Sequence, residues 1–172
     1  MVNQLKQFVP QNVCLSCDGC CRFKEADSQW RPHYPVEEIR GKIQKPLADL
    51  IFSKEQRDDS GFIKTVLCEG QHLCSFFDLS HNTCRIYSHR PFECQLYPFV
   101  LAIQEGKTAL LVHLNCPFIH EKRSTKEFDQ YVDYLKEYFS QTSVLDFIQR
   151  NPQVVGDYSA YREELEFLFI LR

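Results

Sequence analysis

Cys14-Leu15-Ser16-Cys17-Asp18-Gly19-Cys20-Cys21 packs four thiols into eight residues of a 172-residue chain. Thiolates this crowded repel one another, and free thiols oxidise, so the block predicts sulfurs that are bonded to something else. Cys14-x2-Cys17 is a metal-knuckle spacing, in which two intervening residues let both sulfurs turn to one ion. Adding Cys20 gives three thiols at x2 spacing, which is also how the bacterial ferredoxin run opens. That run has its fourth cysteine three residues later, before a proline. Here Cys21 adjoins Cys20 instead. Consecutive side chains point apart, so these two are not expected on one ion. Either they serve two neighbouring sites or only one of them binds.

Outward from the block, Cys74, Cys84 and Cys94 follow at ten-residue steps, and Cys116-Pro117 closes the series. That distant Cys-Pro would complete a four-thiolate site. Eight thiols divide into two groups of four, the number wanted by a four-cysteine zinc site and by a [4Fe–4S] cluster. Cys68 stands apart and reads as a small buried apolar residue. His72, His81 and His113 lie two or three residues before Cys74, Cys84 and Cys116 and are weaker candidates for a mixed site. Asp18, Glu69 and Glu93 are weaker candidates for catalysis, against a plain surface role. Arg90 lies between Cys84 and Cys94. It reads as a guanidinium that offsets the negative charge of a thiolate site and orients its ligands, with Pro91 fixing the chain direction. The competing reading pairs Arg90 with Glu93 at the surface.

Composition bounds the class. Hydrophobic residues make up 44%, with 14 Phe and 8 Tyr, which is enough for one domain (1–172) with a real core. The net charge is −3 with both signs interspersed, so the basic face of a nucleic-acid binder is not expected. Phe167–Leu171 is an apolar run of five residues, too short to cross a membrane. Met1–Pro10 lacks the apolar core of a signal peptide. A cytoplasmic protein is expected, and in a reducing cytosol clustered cysteines are metal ligands or catalytic groups rather than disulfides. No nucleophile elbow, phosphate-cradling glycine loop or HExxH is present.

The fold class expected is α+β, a small metal-stitched domain with a short β-hairpin or sheet in the middle and C-terminal helices. Short helices are expected over Val36–Ile43 and Pro46–Phe52, and strands over Phe62–Leu67 and Leu73–Phe77. Val100–Ile103 and Thr108–Leu114 flank Gln104-Glu105-Gly106-Lys107, a hairpin signal because Gly106 takes a positive φ readily. Ser124 with Glu127 has the form of a capping box, opening a helix whose Phe128, Tyr131, Val132, Leu135, Tyr138 and Phe139 recur at helical spacing. A further helix is expected over Ser143–Gln149. Tyr161–Leu171 is ambiguous: Leu165, Phe167, Phe169 and Leu171 alternate like a strand, yet Arg162–Glu166 is a good helix former.

The block, together with Cys84-Arg85-Ile86-Tyr87-Ser88-His89-Arg90-Pro91-Phe92-Glu93-Cys94-Gln95-Leu96-Tyr97-Pro98-Phe99, resembles the YkgJ-like CxxCxxCC cysteine-cluster family of zinc- or iron-chelating domains. The likeness spans about residues 12–118, leaving 124–172 as a mainly helical C-terminal extension. Members often carry Arg where Gln95 stands and Gly where Asp18 stands. The resemblance implies a thiolate set of Cys14, Cys17, Cys20, Cys21, Cys74, Cys84, Cys94 and Cys116. It implies an iron–sulfur cluster or zinc, and by way of the related flagellin lysine N-methylases it implies methyl transfer more weakly. Three functions follow as expectations: an iron–sulfur protein with redox or methyl-transfer chemistry, a zinc-stabilised binding module without catalysis, and an enzyme modifying protein lysines. The partners expected are the metal and a protein substrate or redox partner, with neither nucleic acid nor membrane.

Overall fold

The computed structural model describes residues 5–17, 19–39 and 43–171. Helices and strands both occur, so the class is α+β. Two units emerge along the chain: Pro10–Cys94, here the cysteine unit, and Met1–Val9 with Gln95–Arg172, here the sheet unit.

The cysteine unit opens with α1 (Gln11–Ser16) behind Pro10, then β1 (Arg22–Phe23), α2 (Val36–Ile39) and α3 (Lys45–Ile51). Pro46 sits in the first turn of α3, where its missing N–H costs nothing. The helix expected over Val36–Ile43 ends at Ile39, and Arg40, Gly41 and Lys42 lie outside the described residues. Strands β2 (Thr65–Cys68) and β3 (Gln71–Cys74) form a hairpin whose turn residues Glu69 and Gly70 have φ of 49° and 80°. Paired positive φ matches the twist of the flanking strands. β1 adds to the other side of β3, giving the order β1-β3-β2.

The strand expected over Leu73–Phe77 is divided. β3 stops at Cys74, and Phe77 begins β4 (Phe77–Asp78), which pairs with β5 (Thr83–Cys84). Between them Phe76 is fully buried. It joins Tyr34, Ile39, Ile51, Ile63 and Ile86 in the unit's core, with Cys74 and Cys84 packed against it. Phe62 and Ile63 make only isolated bridges, to His33 and Arg57, so the expected strand starts later, at Thr65.

The cysteine unit ends within α4 (Phe92–Leu96), and a cis Tyr97–Pro98 peptide follows that helix in the sheet unit. There β6 (Phe99–Gln104) and β7 (Lys107–His113) form the expected hairpin, with Glu105 and Gly106 at φ 52° and 76°. After α5 (Pro117–Lys122), α6 (Lys126–Phe139) and α7 (Thr142–Arg150), the chain returns as β8 (Val155–Gly156) and β9 (Leu165–Ile170). The sheet order is β8-β6-β7-β9.

The ambiguous tail resolves both ways. Ser159–Glu164 forms a 3-10 segment, and the alternating Leu165–Ile170 is strand. Buried Phe128, Tyr131, Leu135, Tyr138 and Phe139 make the core face of α6. Phe99 on β6 lies 5.3 Å from Tyr131 and 6.0 Å from Phe128 between ring centroids. The cap of α6 is Thr125 and not Ser124: Thr125 has the extended backbone of an N-cap, and its hydroxyl accepts from the Phe128 N–H at 3.3 Å.

Candidate metal centre

Cys14 is carried on α1, and Cys17 is the extended residue that ends it. The Gly19 N–H donates to Cys17 Sγ at 3.4 Å. The Cys74 N–H donates to the Cys21 carbonyl at 2.9 Å, so the block is tied to the end of β3. Cys84 closes β5, and Cys94 lies in α4.

α4 follows a proline and is capped from a distance. The Phe92 N–H, in its first turn, lies 3.1 Å from both Glu38 carboxylate oxygens, and the His33 N–H donates to Glu93 at 2.6 Å. Two carboxyl groups from α2 and α4 thus fix the helix that presents Cys94. Burial pushes the Glu93 carboxyl up to about 8; the His33 N–H opposes this and the Glu38 charge adds to it. Sequence reasoning took Glu93 as a surface or catalytic group and did not place Glu38 or His33 beside α4.

Seven thiols of this unit act on one another in pairs. Cys14 and Cys20 share a hydrogen bond, as do Cys20 and Cys21, and Cys17 acts on Cys20 through its charge. Cys74, Cys84 and Cys94 interact with one another, Cys20 with Cys74 and Cys94, and Cys14 with Cys84. Cys20 thus interacts with five of the other thiols: Cys14, Cys17, Cys21, Cys74 and Cys94.

The electrostatics follow from crowding like groups in a dry place. The hydrogen bond with Cys20 raises the Cys14 thiol, helped by burial, while Arg90 opposes. Cys20 is pulled down by Cys14, yet Cys21, burial and the charges of Cys21 and Cys17 outweigh that and raise it. Burial pushes Cys74 up to about 12 and raises Cys84 and Cys94 as well. Thiols so raised hold their protons at neutral pH, and only a cation makes ionising several of them favourable.

Arg90 is a buried cation in the unit. It is 9% exposed, its Nη1 donates to Cys14 Sγ at 3.4 Å and its Nε to the Tyr87 carbonyl at 3.0 Å. Its guanidinium lies 3.6 Å from the Tyr87 ring centroid. Pro91 bars the helical conformation from the residue before it, and Arg90 has the resulting extended backbone, φ −60° and ψ 146°. The guanidinium acts to lower Cys14, Cys84 and Cys94 together.

The donor chemistry fits a thiophilic metal, since clustered thiolates select zinc and iron–sulfur clusters. Among the described residues no three His, Cys, Asp or Glu side chains already stand as a ligand group.

Cys116 is buried at the start of α5 in the sheet unit. Cys68 ends β2 beside the Glu69-Gly70 turn. His81 faces the Asp78 carboxylate at 3.0 Å, and His113 faces Glu164 at 3.3 Å. His72 is a β3 residue paired with Leu67 and Phe23. Asp18 lies outside the described residues. No helix among the described residues is long and apolar enough to cross a membrane.

A family model described as a zinc- or iron-chelating domain, CxxCxxCC, matches residues 13–131. An uncharacterized protein of Methanocaldococcus jannaschii, MJ0661, is 29% identical over 97 residues, covering 56% of this chain. The chain spans about half the length of that relative, 50%. No solved structure matches.

Proposed function

Since the chain belongs to the CxxCxxCC family of zinc- or iron-chelating domains, we propose that its metal is a [4Fe–4S] cluster held by cysteines of Pro10–Cys94. The ligands come from Cys14, Cys17, Cys20, Cys21, Cys74, Cys84 and Cys94, with Cys116 added on the resemblance alone. What supports this reading is the mutual electrostatic interaction of seven thiols, five of them with Cys20, beside a buried arginine. Four thiolates bear more negative charge than a cluster neutralises, and a fixed guanidinium donating to sulfur offsets the excess and tunes the centre. Bound here, a cluster supplies one-electron redox chemistry. The chain's own residues set its surroundings: Arg90 holds positive charge at Cys14, and Glu38 and Glu93 fix α4. A reducing compartment, the cytoplasm, suits nine cysteines that stand free of disulfides.

Zinc without catalysis is the second reading. The small apolar core of the cysteine unit favours it, because an ion stitched into the fold would supplement that core. Methyl transfer to protein lysine rests on resemblance alone, and binding of S-adenosylmethionine tests it. Anaerobic purification with iron, zinc and acid-labile sulfide analysis separates the first two. The cluster reading expects brown protein with about four iron and four sulfide per chain. Colourless protein with stoichiometric zinc and no sulfide would replace it by the second.

A further inference from the structure

Arg90 donates to a sulfur 76 residues away in sequence, so its long side chain must be aimed. A free arginine samples many rotamers, and the entropy of fixing one opposes every contact it makes. The backbone around Arg90 is pinned. Tyr87–His89 forms a 3-10 turn directly after Ile86, which is buried in the unit's core. The His89 N–H donates to the Ile86 carbonyl at 2.7 Å, and the Tyr34 hydroxyl donates to the His89 carbonyl. Just upstream, the Arg85 N–H donates to the Phe76 carbonyl at 2.9 Å. These bonds fix where Tyr87 and Arg90 leave the chain.

The Arg90 side chain folds back along the turn. Its Nε donates to the Tyr87 carbonyl at 3.0 Å, and its guanidinium carbon stands 3.6 Å from the Tyr87 ring centroid. That is a stacking distance. Other cation–ring pairs of the unit are looser: Arg22–Phe77, Arg57–Phe52 and Arg31–Phe62 lie at 5.1, 5.3 and 5.6 Å. A planar guanidinium laid on an aromatic face loses that contact if it turns. Its edge is left to direct Nη1 at Cys14 Sγ, 3.4 Å away. The Tyr87 hydroxyl also shares hydrogen bonds with Arg90 and Cys14. A neutral hydroxyl is a weaker donor to sulfur than a guanidinium, so the ring face carries more of the effect than the hydroxyl.

We propose that Tyr87 is a positioning residue of the metal centre: its ring face holds the Arg90 guanidinium on the Cys14 sulfur and so sets how firmly the metal is kept. This role rests on a metal held through Cys14, and it is the same for a cluster or for zinc. With the ring gone, the guanidinium turns to water. The charge on Cys14 is then less well offset, and the ligand is released more readily.

The test challenges the metal-loaded full chain with excess EDTA under anaerobic conditions and follows the rate of metal loss by elemental analysis. Tyr87→Leu should lose metal roughly 5-fold faster than the parent. Tyr87→Trp keeps a cation-binding face and Tyr87→Phe lacks only the hydroxyl, so both should stay within ~2-fold of the parent. Phe52→Leu, which breaks the looser Arg57 pair, should match the parent. In an Arg90→Gln background, Tyr87→Leu should add nothing, because no guanidinium is left to position. A merely structural role would add its full effect there. Parent-like metal loss in Tyr87→Leu overturns the proposal, as does full additivity with Arg90→Gln. So does a Tyr87→Phe variant that loses metal ~5-fold faster, which needs no folded Tyr87→Leu. Parent-like metal loss in Arg90→Gln overturns it too, since nothing is then gained by aiming that side chain. The iron, zinc and sulfide content of the parent chain reports separately on the cluster reading: zinc overturns that reading alone, and a chain without metal overturns both.

Discussion

Among the described residues, the sheet unit buries 25 apolar side chains and the cysteine unit nine, though the two are of similar length. The first closes a four-stranded sheet under an aromatic helix face. The second has strands of two to four residues, and its core cluster ends against two thiols, Cys74 and Cys84. Domains with small cores need staples such as disulfides or metals. One chain thus holds one region by burial and the other by sulfur chemistry. Removing either support should therefore damage one unit far more than the other.

The largest effect is expected at Cys20, the thiol with which five others interact. Cys20→Ser should empty the centre and cost the cysteine unit stability on the scale of structural metal binding, about 10 kcal/mol. Limited proteolysis should then cut within Pro10–Cys94 while the β6–β7 hairpin survives. Retention of full metal content would remove Cys20 from the site.

Phe99→Ala strikes the other unit. It deletes a ring that is 1% exposed and packed on α6, and should cost the sheet unit about 3–5 kcal/mol by denaturant unfolding. Metal content should be unaffected. Equal loss of metal would mean that the two supports are not separate.

Arg90→Gln should come next. It removes a charged donor to Cys14, an effect of about 1.5–3 kcal/mol on the thiolate state. The expected result is faster metal loss to a chelator or a shifted reduction potential. Arg123→Gln, at a more exposed ion pair with Glu166, should do neither. If the two variants behave alike, Arg90 has no part in the centre.

A smaller effect concerns pH. Burial lowers His113 from its ordinary 6.5, so the unfolded chain binds that proton first on acidification. Its contribution is present above pH 6.5 and is lost as pH falls through the folded value. His113→Gln should flatten the stability–pH slope of the sheet unit below that ordinary value, read from urea midpoints. A slope identical to that of the parent would show that the ring's environment is not what depresses it. Smallest of all, Cys68→Ser should leave metal content unchanged; an emptied site would redraw the ligand set.

Much of this contrast was legible in the chain, for local reasons. Glu105-Gly106 marks its hairpin through turn chemistry, and Phe128 to Phe139 mark their helix through a 3.6-residue period. The cysteine block reads as metal-binding because its spacing is itself the chemistry. What was not legible depends on distant partners. Arg90 was expected beside thiolates from its place between Cys84 and Cys94, but its sulfur partner is Cys14, 76 residues away. Glu38 capping α4 across 54 residues left no spacing signal. The break between β3 and β4 was hidden because Leu73–Phe77 alternates plausibly, and only the packing of Phe76 into the core divides it. The cap of α6 slipped by one residue because Ser124 and Thr125 have the same chemistry.

Whether metal holds the cysteine unit together is best decided by hydrogen exchange before and after anaerobic removal of the metal. The amides of β2, β3 and β5 should lose protection by orders of magnitude while those of Phe99–Gln104 and Lys107–His113 keep theirs. Unchanged protection in β2, β3 and β5 after complete metal loss would mean that sulfur chemistry does not support that unit.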